Sequence, residues 1–170
     1  MNNSEYNEVK GFFVDMKKNW IKVFCFLVVL LLYFIPSLIF KPDNDYYYSL
    51  EGPHLPGWAF TVAWSIIYVC MSIYVTYFIF LAREKRNAEY KRVFIFLIVN
   101  FILQASYTPI FFTFKNIFAG FGVTLFTFIT AIILFLEALL VNKKVALLTI
   151  PYIVWTAIAS VLSILLYLQN

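Results

Sequence analysis

The sequence predicts an all-α integral membrane protein: one bundle of five transmembrane helices. Three observations carry that prediction. Of 170 residues, 63% are hydrophobic and 13% charged, where soluble domains average ~45–50% and ~25%. The apolar residues fall into five long blocks, about 23–40, 57–82, 93–114, 117–141 and 145–168. The charges collect between the blocks, in short connections. A soluble fold of this length has no interior that could bury so much apolar surface.

The polar segment 1–20 has mixed charge and no small-residue cleavage site before the first apolar block, so that block is expected to act as an uncleaved anchor. Lys17, Lys18 and Lys22 stand at its start, and Pro36 is expected to kink it. Residues 21–170 then form a single membrane domain. Lys41–Pro56 is the longest connection. Its three prolines and the neighbouring Asp43 and Asp45 argue against a continuous helix. Tyr46, Tyr47 and Tyr48 within it read either as an interfacial aromatic belt or as part of a lid.

The second helix carries the strongest pattern. Gly57–Ala82 holds 26 residues without a charge, roughly 39 Å of helix against a ~30 Å hydrocarbon core. Thr61, Trp64, Ser65, Tyr68 and Ser72 fall within one third of its circumference. Such a face is either a packing seam, with hydroxyls bonding across helices, or the wall of an aromatic ligand pocket. On the third helix Asn100, Gln104, Tyr107 and Phe111 share one face. Amides at membrane depth are costly without partners, so this face must look into the bundle. Pro109 is expected to bend the end of that helix.

Only Lys115-Asn116 leads into the fourth helix. Its Gly120, Thr124, Thr127 and Ala131 form a small-residue stripe that lets another backbone approach, inside the bundle or between two protomers. Glu137 is expected to reach the membrane interface near Lys143 and Lys144. The fifth helix places Trp155, Ala159 and Ser163 on one face with Tyr152 and Thr156 beside them. Cys25 and Cys70 lie inside apolar blocks and read as small hydrophobes.

Eleven Lys and Arg residues fall on the side of the N-terminus and two, Lys41 and Lys115, on the other. This bias predicts a cytoplasmic N-terminus and an extracytoplasmic C-terminus, with the tyrosine-rich loop outside. The formal net charge of +4 therefore reads as a topology signal and names no nucleic-acid partner. The partners are the lipid bilayer and a small hydrophobic ligand. The helices hold no paired carboxylates, phosphate loop or nucleophile–His–acid set, and His54 is the single histidine. What remains is a set of aromatic, amide and hydroxyl faces without fixed charge, which suits a flat, largely apolar ligand.

The segments Pro56-Gly57-Trp58-Ala59-Phe60, Val62-Ala63-Trp64-Ser65-Ile66-Ile67-Tyr68, Thr108-Pro109-Ile110-Phe111-Phe112 and Pro151-Tyr152-Ile153-Val154-Trp155 resemble the translocator protein family (TspO/MBR, the tryptophan-rich sensory proteins), over about residues 20–168. The resemblance implies a five-helix bundle, a homodimer and a pocket opening towards the first inter-helix loop. It implies a receptor or sensor in a bacterial cell membrane that needs no cofactor and takes protoporphyrin IX or a related tetrapyrrole as ligand. The alternatives are a light- or oxygen-dependent porphyrin-degrading protein or a transporter of such ligands. Together, resemblance and faces nominate Trp58, Thr61, Trp64, Tyr68, Gln104, Tyr107, Phe111, Tyr152, Trp155 and Ala159 as ligand-binding, with no catalytic and no metal-binding residue. The chain departs from the family pattern where Gln104, Ala105 and Tyr107 replace an asparagine and two bulkier aromatics. The sterol-recognition pattern is not met, because Tyr167 is followed by no basic residue.

Overall fold

The computed structural model describes residues 19–85 and 89–170. The polar N-terminal segment up to residue 18, and Arg86 of the charged turn, lie outside the described residues. Seven α-helices are seen among the rest: α1 (Trp20–Ile39), α2 (Asn44–Ser49), α3 (Gly57–Lys85), α4 (Glu89–Thr108), α5 (Ile117–Val141), α6 (Lys143–Ala146) and α7 (Ile150–Gln169). A π-helical turn, Pro109–Thr113, extends α4, and a 3₁₀ turn, Leu147–Thr149, joins α6 to α7. Five spans are long and apolar enough to cross a membrane: Trp20–Ile39, Gly57–Arg83, Tyr90–Thr113, Ile117–Val141 and Lys143–Gln169.

Asparagines and an aspartate set the starts. The side chain of Asn19 accepts from Ile21 N–H, so α1 begins three residues before the apolar block does. Asn116 accepts from Ala119 N–H at 2.9 Å and opens α5. Asn142 ends α5 and caps α6 through Lys144 N–H at 3.0 Å, which starts the fifth span at Lys143 rather than at 145. Each cap satisfies a backbone donor that the first helical turn leaves bare. Asp43 does the same for Tyr46 N–H at 2.9 Å, so the first loop contains the short helix α2. Pro36 lies inside α1, one turn before its end. Pro109 has no N–H to donate, and the chain answers by widening: Phe114 N–H reaches back five residues to the Pro109 carbonyl at 2.9 Å.

α5 is the centre of the bundle, packed between α4 and α7. α1 leans on α3 and α4, and α3 closes the other side against α7 and the 3₁₀ turn. The small-residue stripe is consumed here. Gly120, Thr124, Thr127 and Ala131 are all buried within the protomer, and a Cβ on Gly120 would stand 2.8 Å from Phe111 Cδ2. Large apolar side chains such as Phe24, Leu31, Ile98, Phe126 and Val161 remain exposed around the outside, as expected of a surface solvated by lipid.

Glu137 is held by Arg92, whose Nε and Nη2 meet the two carboxylate oxygens at 2.7 and 2.9 Å. The two-pronged pair ties the start of α4 to the end of α5 and leaves Glu137 almost enclosed.

Candidate ligand pocket

The amide face of α4 is turned inward, as its cost demands. Asn100 is fully buried and makes three interhelical bonds: Nδ2 donates to Thr130 Oγ1 at 2.7 Å and to the Thr127 carbonyl at 3.3 Å, and Oδ1 accepts from the Tyr152 hydroxyl at 3.0 Å. One turn on, Gln104 Nε2 donates to the Tyr68 hydroxyl at 3.0 Å. These bonds join four of the five spans.

Above this network lies a cavity walled by four helices. α3 supplies Phe60 and Trp64, and α4 supplies Gln104 and Tyr107. α5 supplies Thr124 and Thr127, and α7 supplies Trp155, Thr156, Ala159 and Leu162. No lining side chain carries a charge at neutral pH. The hydroxyl hydrogens of the three threonines are already committed to carbonyls on their own helices, at 2.9 Å for Thr124, 2.7 Å for Thr127 and 2.8 Å for Thr156. The cavity encloses about 40 Å³, room for roughly three waters, whereas drug-sized ligands occupy pockets of ~300–1,000 Å³. A space of this size is too small for a tetrapyrrole.

The first loop, the roof of this end of the bundle, packs on the cavity wall through Phe60. Tyr47 is 6% exposed and packs edge-on against Phe60 and His54, at 5.8 and 4.8 Å between ring centres. Its hydroxyl accepts from Leu55 N–H at 3.0 Å, and its carbonyl lies 2.8 Å from His54 Nε2. Tyr48 is half-exposed, and its hydroxyl accepts from Gly57 N–H at 3.1 Å. Tyr46 leans on Phe111, which stacks on Tyr107. Burial pushes the hydroxyl pKa of Tyr46 and of Tyr47 above the ordinary tyrosine value. For Tyr47 the Leu55 bond opposes the shift and Tyr48 adds to it. Asn170 clasps the loop from below, accepting from Glu51 N–H at 3.0 Å and donating to the Glu51 carbonyl at 2.9 Å. Of the tyrosine triplet, Tyr47 is tied into the bundle while Tyr48 stays at the surface.

Of the nominated residues, the cavity brings together Trp64, Gln104, Tyr107, Trp155 and Ala159. Tyr68 and Tyr152 stand directly behind it, holding Gln104 and Asn100. Phe111 is fully buried between Tyr107 and Gly120. Trp58 and Thr61 face outward, Trp58 being 69% exposed. Thr61 and Ser65 return their hydroxyls to carbonyls four residues back, at 3.4 and 2.7 Å, so this side of α3 needs no polar neighbour.

Comparison with known proteins is decided by one match: the model of the TspO/MBR family covers residues 24–168. The chain belongs to the TspO/MBR family. It is 29% identical over 161 residues to the tryptophan-rich protein TspO of Bacillus cereus, which spans 91% of this chain and 99% of that protein. It is 27% identical over 147 residues to the uncharacterized membrane protein YtaB of Bacillus subtilis, with 85% and 93% covered. Protein CrtK of Rhodobacter capsulatus matches at 29% over 134 residues, with 78% and 82% covered. This TspO/MBR chain is thus an integral membrane protein with bacterial homologues and an all-α, five-span fold. Its wall also contains Phe60, Thr124, Thr127, Thr156 and Leu162, which the sequence reading did not nominate. The two threonines of α5 belong to the small-residue stripe, which serves packing and lining at once.

Proposed function

We propose that this TspO/MBR protein is a membrane receptor or sensor for a flat hydrophobic ligand of the tetrapyrrole class, bound among α3, α4, α5 and α7 without catalysis. The observation that supports it is the uncharged cavity with two tryptophans, a tyrosine and an amide on its wall, roofed by a loop that holds on through a few hydrogen bonds. Stacking rings with a few fixed polar atoms are the usual chemistry of such sites. A tetrapyrrole is admitted when the roof lifts and the rings of Phe60 and Tyr107 part. The positive-inside bias puts the N-terminus in the cytoplasm and the roof outside. A homodimer, in this reading, uses an outer face, since the stripe on α5 is buried within the protomer.

The test is a titration of detergent-purified protein with protoporphyrin IX in the dark, followed by tryptophan quenching, with Trp64→Phe and Trp155→Phe alongside. A saturable curve of about micromolar affinity, some −8 kcal/mol, weakened in both variants, is the expected result. A linear response that neither variant alters would refute the reading. The presence of Trp64 and Trp155 on the same wall supports a second reading, light-dependent porphyrin breakdown. Loss of the porphyrin absorbance under light, abolished in the two variants, would favour it.

A further inference from the structure

A ladder of rings leads out of the cavity to one cation. Tyr107 lines the cavity and stacks on Phe111 at 5.4 Å between ring centres, with planes 22° apart. Phe111 meets Tyr46 of the roof at 6.0 Å. Lys115 Nζ stands 4.9 Å from the centre of the Tyr46 ring. Among the described residues no carboxylate pairs with that ammonium. Its ring contact is that of one exposed cation–π pair, a weak tie. The other bond between the two residues, from the Tyr46 hydroxyl to the Lys115 carbonyl, is long at 3.4 Å.

The backbone beneath this cation is unusual. Lys115 has φ 51°, the one non-glycine positive φ among the described residues. The left-handed region costs a residue with a Cβ, and Gly or Asn are its usual occupants. A turn of two residues between long helices could hold an asparagine here without strain, yet it holds a lysine. The lysine is exposed, next to the roof and at the edge of the aromatic cluster that Phe60, Tyr107 and Leu162 share with the cavity. Displacing the Tyr46 ring would free the ammonium from the contact that now covers it.

We propose that Lys115 is the anion-binding corner of the ligand site: it takes a carboxylate carried on the edge of a ligand whose ring system fills the cavity. This rests on the ligand reading given above and adds the chemical character of the ligand's rim. The cavity wall itself offers no cation, so a carboxylate buried there would be unpaired and costly. The ligand must therefore enter with its apolar edge first and its charged edge towards Lys115. The site selects an amphipathic ring acid over a neutral ring of the same shape.

The experiment compares protoporphyrin IX with its dimethyl ester, titrated in the dark into wild type, Lys115→Gln and Lys115→Arg. The readout is the ratio of acid to ester affinity within each protein, which cancels partition into the detergent. The ratio is expected to fall about three- to fivefold in Lys115→Gln, the scale of one exposed ion pair, and to be kept in Lys115→Arg. A ratio that Lys115→Gln leaves unmoved, while both ligands still bind wild type, overturns this assignment and leaves the pocket standing. A fall of equal size in both variants also overturns it, since the charge would not be the cause. Failure of wild type to bind either ligand saturably overturns the ligand reading and this assignment with it.

Discussion

Replacing Asn100 by alanine removes the hub of the buried network, and its cost can be worked out partner by partner. The Thr127 carbonyl still receives the Thr130 hydroxyl at 3.0 Å, and that hydroxyl also reaches the Phe126 carbonyl at 2.9 Å. Neither is stranded. The Tyr152 hydroxyl is different: its residue is 2% exposed, and Asn100 Oδ1 is its partner. Interhelical hydrogen bonds in membranes average ~0.6 kcal/mol and reach ~1.7 kcal/mol, and a buried hydroxyl left bare costs ~1–3 kcal/mol. Asn100→Ala should therefore destabilise by about 2–4 kcal/mol. Tyr152→Phe, which loses one bond and bares one buried amide oxygen, should cost about 1–3 kcal/mol. The double variant should cost less than the sum, by roughly 1 kcal/mol, because the stranded hydroxyl is gone. The assay is SDS-titrated unfolding in micelles, followed by far-ultraviolet circular dichroism. Costs additive within about 0.3 kcal/mol would mean that the two side chains do not share a bond, and the reasoning would fail.

Two further outcomes follow from the ends of the bundle. Arg92→Met should destabilise the protein by about 1 kcal/mol, because the Arg92 side chain is 61% exposed and its pair with the more enclosed Glu137 is partly screened. Adding Glu137→Gln should recover most of that in the same unfolding assay, and no recovery would show that the pair contributes through packing alone. In the roof, burial raises the pKa of Tyr46 and Tyr47, so their contribution to loop closure is present below about pH 10 and is lost as pH rises through the raised folded values. Hydrogen exchange at the amides of 47–57, corrected for its intrinsic pH dependence, should accelerate above that pH, and a flat corrected profile would contradict the assignment.

The five spans were legible because each announces itself by length and by absence of charge. The inward faces of α4 and α7 were legible too. Asn100, Gln104 and Tyr152 have one affordable place at membrane depth, and the helical period says which neighbours share it. The hydroxyl-rich face of α3 was less so. Thr61 and Ser65 satisfy themselves on their own backbone, so their polarity carries no information about which way they point. Trp58 belongs to a family motif yet faces outward, since a tryptophan is as stable at the lipid boundary as on a pocket wall. Thr124 and Thr127 escaped nomination because one small side chain can serve packing and lining together. The short helix α2 hung on one Asp43 cap, and such local bonds are hard to weigh against three nearby prolines.

The contrast between self-satisfied hydroxyls and partner-seeking amides bears on how the chain is made. A ribosome delivers the spans to the membrane one after another. Serines and threonines such as Thr61, Ser65, Ser72, Thr127 and Ser160 can arrive with their donors already closed on their own helix, at little cost to insertion. The third span cannot, because two amides travel with it. Gln104 finds Tyr68 on a span already inserted, so that side can dock on arrival. Asn100 must wait for Thr130 on the fourth span and then for Tyr152 on the fifth. The order of synthesis thus leaves one polar knot open until the last helix enters. A truncation before Tyr152 would present the cell's quality control with an unfinished polar patch in lipid.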